Sequence, residues 1–342
     1  MKPTIQFKRN TRSVFFHITT QCNLSCTHCY IDPVQHGSGA VPLETIKKWL
    51  NLFKKNNTDL VLLGGEPTLH PELSSAIKYA RKIGYRSITV DTNGYLFHDI
   101  LDKVTPNDVD FFSFSLDGPE ASINDSIRGK GSFEHCIQGI HAARKKGFSV
   151  SLIYTVSAIN IHALRQMPSL IASLNIQKFF IQIIGIRGRS AHERQKNDLQ
   201  VTYHDWITHV PAVARDVADL GISVTYPKVF LETEDIFECA GRVSEQFFVF
   251  PNGRVYRCPL CEDYPIHSYF IADNRLQPMP PINENQLFLL DIPEGCVMNK
   301  LVQPGNISYD FKGHPNHRIA CCLLKTSVEK NDYNSIVPDN KQ

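Results

Sequence analysis

Three cysteines stand close together early in the chain, in Cys22-Asn-Leu-Ser-Cys26-Thr-His-Cys29-Tyr30. Gaps of three and two residues let one short loop wrap a cubane iron–sulfur cluster with three thiolates, leaving the fourth iron without a protein ligand. An iron left open in this way can bind a substrate or cosubstrate. A structural zinc would need a fourth Cys or His close by, and His28 lies between two of the ligands, where it reaches the same ion poorly. The chain holds ten cysteines, and no apolar export segment follows its charged N-terminus. A soluble, cytoplasmic protein is therefore expected, in which cysteines serve metals or redox chemistry rather than a disulfide framework.

The elements that must position these thiols are legible from residue 13 to about residue 230, where short β-rich runs alternate with helical patterns in the manner of right-handed βαβ units. Strands are expected near Val14–Thr20, Leu60–Gly65, Ser87–Asn93, Asp110–Asp117, Ser149–Val156 and Phe179–Ile186, with a possible seventh at Ile222–Tyr226. Ile46, Trp49, Leu50 and Phe53 form one helical apolar stripe, and Leu73, Ala76, Ile77 and Ala80 form another. Six units are too few for an eight-stranded barrel, which leaves a partial barrel or an open doubly wound sheet. In the fourth strand Phe112, Phe114 and Leu116 alternate with Ser113, Ser115 and Asp117, so one face is apolar and the other lines a polar lumen.

After residue 230 the rhythm stops. Phe247–Phe250, Pro251-Asn252-Gly253 and Arg254–Cys258 read as a β-hairpin, and the remaining stretch is proline-rich and carries Cys239, Cys258, Cys261, Cys296, Cys321 and Cys322. A loop-rich, metal-stapled second domain over residues 231–326 is expected, after a first domain over 1–230 and before a polar tail over 327–342. The tenth cysteine, Cys136, shares an apolar stripe with Phe133, Ile137 and Ile140 and is expected in the core. With 42% apolar and 20% charged residues and a net charge of +2 the composition is globular. Bulk-charge nucleic-acid binding and a membrane span are both disfavoured.

Further motifs close the expected strands at their C-terminal ends, the face on which barrel active sites lie. They are Leu63-Gly64-Gly65-Glu66-Pro67, Asp91-Thr92-Asn93-Gly94 and Ser113-Phe-Ser115-Leu-Asp117-Gly118, followed by Ser126-Ile-Arg128-Gly129-Lys-Gly131-Ser-Phe133. Singly each has a plain reading as a tight turn, a loop pair or a helix cap. Together with Cys22, Cys26, Cys29 and the aromatic Tyr30 they resemble the radical S-adenosylmethionine (SAM) superfamily. The resemblance implies a partial (βα)6 TIM-like barrel with a SAM-binding 4Fe–4S cluster on the three cysteines. It also implies that Gly64, Gly65 and Glu66 hold the SAM amino group, with Tyr30, Thr92, Asn93, Ser115 and Asp117 completing the SAM site.

Cys239, Gly253 and Cys258 resemble the opening of the SPASM or twitch auxiliary-cluster domain of that superfamily. The tight run of four cysteines that completes a full SPASM domain is missing, so the resemblance implies one auxiliary 4Fe–4S cluster rather than two. The expected ligands are Cys239, Cys258, Cys296 and one of Cys321 and Cys322, with Cys261 competing with Cys296 and zinc as the alternative metal. Adjacent residues of an extended chain face opposite ways, which makes the other member of the pair a spare thiol. It is either packed or a hydrogen-atom donor of the kind radical SAM epimerases use. Arg187 and Arg189, in a basic stretch with His192, Arg194 and Lys196, are candidates for docking an anionic substrate group.

The expected activity is reductive cleavage of SAM to a 5'-deoxyadenosyl radical that takes a hydrogen atom from substrate, with peptide maturation (epimerisation, cross-linking or oxidation) favoured. The runner-up is modification of a small anionic metabolite, a sugar, nucleotide or lipid precursor, and a distant third is a non-catalytic electron carrier. The resemblance implies a low-potential electron donor of flavodoxin or ferredoxin type. Because the first strand begins near Ser13, no fused N-terminal peptide-recognition domain is expected, and a precursor peptide would come alone or with a separate recognition protein.

Overall fold

The computed structural model describes residues 12–95, 99–192, 199–232 and 234–330. Seven parallel strands form its framework: β1 (Arg12–His17), β2 (Thr58–Leu63), β3 (Ser87–Thr92), β4 (Phe111–Ser115), β5 (Val150–Val156), β6 (Lys178–Ile183) and β7 (Ser223–Pro227). Each pairs with the next in sequence order, as successive βα units of one hand require. The strand ends fall a few residues from those expected, and the optional seventh strand is present.

Alternation along the strands separates two faces. Phe16, Leu62, Val90, Phe112, Phe114 and Leu152 are inaccessible and lie under the helices. Helix Leu43–Phe53 buries Ile46, Trp49, Leu50 and Phe53, and helix Leu73–Lys82 buries Leu73, Ala76, Ile77 and Ala80. Each such side chain contributes about 1.5–3 kcal/mol through removal from water. The other face carries Asp91, Ser113 and Ser151 in register across β3, β4 and β5, which makes the lumen polar as the β4 pattern predicts.

The remaining strands are β8 (Phe230–Leu231), β9 (Glu245–Val249), β10 (Arg254–Tyr256), β11 (Tyr269–Ala272), β12 (Arg275–Pro278), β13 (Arg318–Ile319) and β14 (Lys325–Val328). The predicted hairpin is β9–β10, paired antiparallel, with Gly253 at φ +85° in its turn. β9 also lies parallel to β1, while β14 runs antiparallel to β7. Both edges of the parallel sheet are thereby covered, giving one sheet of twelve strands among the described residues. The architecture is a partial TIM-like barrel with a loop-rich, cysteine-rich C-terminal region. Ser327 and Val328, expected to open a polar tail, instead complete β14, with Val328 buried against β7; residues 331–342 lie outside the described residues. No helix among the described residues is long and apolar enough to cross a membrane.

Candidate active site and auxiliary cysteine cavity

Beyond β1 the chain runs over the C-terminal end of the sheet, and glycines decide how closely it lies. Gly65 N–H donates to Thr19 O (2.9 Å) and Glu66 N–H to Gln21 O (2.8 Å). A Cβ on Gly65 would sit 2.3 Å from Gln21 O, and one on Gly64 2.8 Å from Thr19 O. Both glycines thus let the cysteine loop rest on the end of β2. Further along, Thr27 N–H donates to Ile127 O (2.9 Å), Arg189 N–H to Cys29 O (2.8 Å) and Arg189 Nη1 to Cys26 O (2.9 Å). The loop is anchored by its backbone while Cys22 is exposed and Cys26 and Cys29 are half-buried. Although the residue as a whole is exposed, loss of water around its sulfur pushes the Cys22 thiol up to about 11, with the nearby Glu66, Cys26 and Cys29 adding to the rise. Metal binding to these thiols would release their protons.

Glu66, Thr92 and Asn93 come together beside this loop. The buried Glu66 Oε1 accepts from Thr68 N (3.1 Å), Thr68 Oγ1 (2.7 Å) and Thr92 Oγ1 (2.8 Å), and its Oε2 accepts from Asn93 N (2.7 Å). Burial raises its pKa while these donors oppose the rise. Asn93 Nδ2 donates to Asn23 Oδ1 (2.9 Å) and lies 3.8 Å from Cys22 Sγ. Ser115 faces the lumen at the end of β4, and its carbonyl accepts from the Cys136 thiol, which is buried in the core as expected. Asp91, beneath Thr92, faces the lumen beside Ser113. Burial, against a hydrogen bond from Ser113, raises its carboxyl to about 7.

Asp117, expected among the SAM-site residues, is already paired with two neighbours. It is fully buried, with Oδ2 2.7 Å from Arg128 Nε and 3.2 Å from His28 Nε2, and Oδ1 accepts from Thr155 N (2.7 Å). Burial alone would raise its pKa; Arg128 first, then His28 and the Thr155 N–H, outweigh that and hold it at about 2. His28, placed between two cysteines, thus ties their loop to β4, β5 and helix Ala121–Arg128.

Tyr30 joins this mouth to the C-terminal region. His17 Nδ1–H donates to Val249 O (3.1 Å), which leaves Nε2 to accept from Tyr30 OH (2.7 Å). His17 and His36 stack on Phe250 with ring centroids 4.2 Å away in each case. His36 Nε2–H donates to Glu262 O (3.2 Å) and its Nδ1 accepts from Asp32 N (2.9 Å). Burial, first in both, lowers His17 to about 3 and His36 to about 4. Arg187, expected to receive an anion, is already paired: its guanidinium lies over the Tyr30 ring at 4.4 Å and bonds to the Glu262 carboxylate and Pro259 O. Arg189 is exposed and holds Cys26 O; Arg194 and Lys196 lie outside the described residues.

In the C-terminal region Cys239, Cys258, Cys296, Cys321 and Cys322 line one cavity with Phe237, Leu287 and Phe288. Gly295, at φ +92°, brings Cys296 in; a Cβ there would sit 2.5 Å from Ile319 O, and Cys296 N–H donates to that carbonyl (3.2 Å). The extended chain expected at Cys321-Cys322 is absent. Leu324 N–H donates to Cys321 O (2.9 Å), and this turn lets both thiols face the cavity. Cys261 is fully buried, outside the cavity lining, and near Cys258 and Glu284. Glu284, absent from the sequence reading, accepts from Arg257 N (2.7 Å), Cys258 N (3.2 Å), Ser268 N (3.0 Å) and Ser268 Oγ (2.6 Å). Among the described residues no three His, Cys, Asp or Glu side chains are grouped as for a single metal ion. Both donor sets are all thiol, the set that iron–sulfur clusters take.

Residues 16–170 match the family described as "Radical SAM superfamily". The Fe-coproporphyrin III synthase of Methanosarcina barkeri is 29% identical over 179 residues, 51% of this chain and 44% of that one. The mycofactocin maturase MftC of Mycobacterium tuberculosis is 25% identical over 283 residues, 76% of this chain and 66% of that one. The chain spans about half the length of the first of these relatives and two thirds of the second. Streptococcus suis SuiB bound to its precursor peptide SuiA superposes with a TM-score of 0.61 at 12% identity, covering 87% of this chain and 66% of SuiB. At that identity the likeness is one of fold.

Proposed function

We propose that this chain, which belongs to the radical SAM superfamily through residues 16–170 and whose cysteine-rich C-terminal region fits an auxiliary-cluster domain, is a radical SAM enzyme of peptide maturation. The observation that carries the enzymatic reading is the anchored loop of Cys22, Cys26 and Cys29 at the C-terminal mouth of a parallel sheet, beside the end of β2 and the Glu66–Thr92–Asn93 cluster. The chemistry a three-thiolate 4Fe–4S cluster supplies when it holds SAM is one-electron cleavage to methionine and a 5'-deoxyadenosyl radical, which takes a hydrogen atom from substrate. This chain's part is to hold three thiols with backbone hydrogen bonds, to keep Glu66 and Asn93 at the rim, and to offer a polar lumen. The proposed auxiliary ligands are Cys239, Cys258, Cys296 and one of Cys321 and Cys322. Domains over 1–230 and 231–326 and a low-potential electron donor belong to the same proposal.

The peptide class is favoured because the match to the mycofactocin maturase covers 76% of this chain, more than the expected first domain alone, whereas that to the coproporphyrin synthase covers 51%. That synthase keeps a small anionic metabolite as the second reading, although Arg187 is paired with Glu262. After anaerobic reconstitution and reduction, wild-type protein is expected to release 5'-deoxyadenosine from SAM, and Cys26→Ala to release none. Equal release by both would end the enzymatic reading. Deuterium transfer into 5'-deoxyadenosine from a labelled precursor peptide rather than a labelled porphyrin decides between the substrate classes.

A further inference from the structure

The loop after β6 touches both cysteine groups at once. On one side Gly188, at φ +55°, lies so close to Cys29 and Tyr30 that a Cβ would sit 2.7 Å from their backbone. The Arg187 guanidinium covers the Tyr30 ring at 4.4 Å. On the other side the same guanidinium bonds to Pro259 O, next to Cys258, and to the carboxylate of Glu262, next to Cys261. Gly188 N–H donates to Asp263 Oδ2 (2.8 Å), and Cys322 lies near enough for the Arg187 charge to act on it. The side chains of this pair are 14% and 2% exposed, so water screens their charges poorly.

We infer that Arg187 and Glu262 form a buried charge device that sets the electron affinity of both cysteine-held clusters together, through their contacts with the segments carrying Cys29 and Cys258. Arg187 is in this sense a positioning residue. A cluster gains negative charge on reduction, so a fixed positive charge nearby raises its potential and a fixed negative charge lowers it. Burial lifts the Glu262 carboxyl to about 7 against the pull of Arg187, so above that pH, where the titration is run, the two members act with opposite sign at both sites. The inference rests on the reading that both cysteine groups carry clusters.

The test is a potentiometric titration of the reconstituted full chain followed by electron paramagnetic resonance, which reports each cluster without turnover. Arg187→Met is expected to shift both midpoint potentials down, and Glu262→Gln, which leaves Arg187 uncompensated, to shift both up. Arg187→Lys, which keeps the charge but loses the planar stacking, is expected to stay near wild type. The double variant Arg187→Met/Glu262→Gln is expected to return towards wild type. Shifts of one sign in both single variants, or shifts confined to one cluster, would overturn the inference and point to packing alone. Should Arg187→Met fail to fold, an unshifted Glu262→Gln overturns it by itself. A wild-type protein that takes up iron but shows only one cluster signal overturns the reading on which the inference rests, and with it the coupling.

Discussion

The two cysteine sites are built in opposite ways. At the barrel mouth three cysteines within one short loop are held by that loop's own backbone, with Thr27 on Ile127 and Cys26 and Cys29 on Arg189. In the C-terminal region five cysteines from four separate segments meet across a fold in which β13 pairs with β8 and β14 returns to the barrel edge at β7. The first site remains partly open, with Cys22 exposed, and suits a metal that must also bind a cosubstrate. The second has Cys258, Cys296 and Cys321 buried, and suits a metal enclosed by protein. A local loop can be tuned by a few neighbours, whereas an assembled cavity depends on the whole C-terminal fold.

The contrast is broken most forcefully at Asp117. If the barrel loop owes its position to a few neighbours, Asp117→Asn should free it, because Arg128 and His28 (side chains 9% and 13% exposed) lose their carboxylate partner. Stranding a buried charge costs about 3–5 kcal/mol. Urea unfolding of the variant is expected to show a loss of that order. Iron should leave the barrel site while the auxiliary signal persists. Loss of both signals together would show that the sites are not independent in the way their construction suggests.

A smaller effect is expected where the two regions meet. His17 and His36 are ordinarily half-protonated at pH 6.5, and burial holds them near 3 and 4 in the folded protein. Their folded pKa values are lowered, so below pH 6.5 the unfolded chain takes up protons that the folded joint excludes. The stability they contribute is complete above pH 6.5 and is lost as pH falls towards 4 and then 3. His17→Gln should flatten this fall by roughly 1 kcal/mol per pH unit, the order of the linkage slope for one displaced histidine. Urea midpoints of wild type and variant between pH 7 and 5 measure it. Parallel curves would mean that the joint admits protons and that the regions are less tightly joined than the stacking on Phe250 implies.

The same contrast explains what was legible in the sequence. Alternation of Phe112 and Phe114 with Ser113 and Ser115 identified both faces of β4, because period two survives any tertiary context. The motif Cys22–Cys29 was visible because its ligands are neighbours in the chain. The pairing of Asp117 was not legible because its partners, His28 and Arg128, come from two other segments and nothing local announces it. Arg187 looked free because Glu262 lies far along the sequence. Glu284 carries no motif, since it acts by accepting backbone N–H groups. The expectation for Cys321 and Cys322 failed on a single turn, which the extended-chain argument had no means of seeing.

The smallest effect sharpens the contrast furthest. Cys261 is two residues beyond Pro259 on the turn that follows Cys258, close enough to compete as a ligand by spacing alone. Its thiol is buried near Glu284 and lies outside the cavity that Cys239, Cys258, Cys296, Cys321 and Cys322 share. A thiolate at that position would have a carboxylate for a neighbour, which disfavours the charged form a metal needs. Cys261→Ala should therefore keep the iron content and the auxiliary signal of wild type and cost only about 1 kcal/mol of packing. Cys296→Ala, which removes a cavity-lining thiol, should lose the auxiliary iron. If instead Cys261→Ala strips the iron and Cys296→Ala retains it, the ligands come from the local Cys258–Cys261 pair. The auxiliary site would then be built, like the barrel site, from neighbours in sequence.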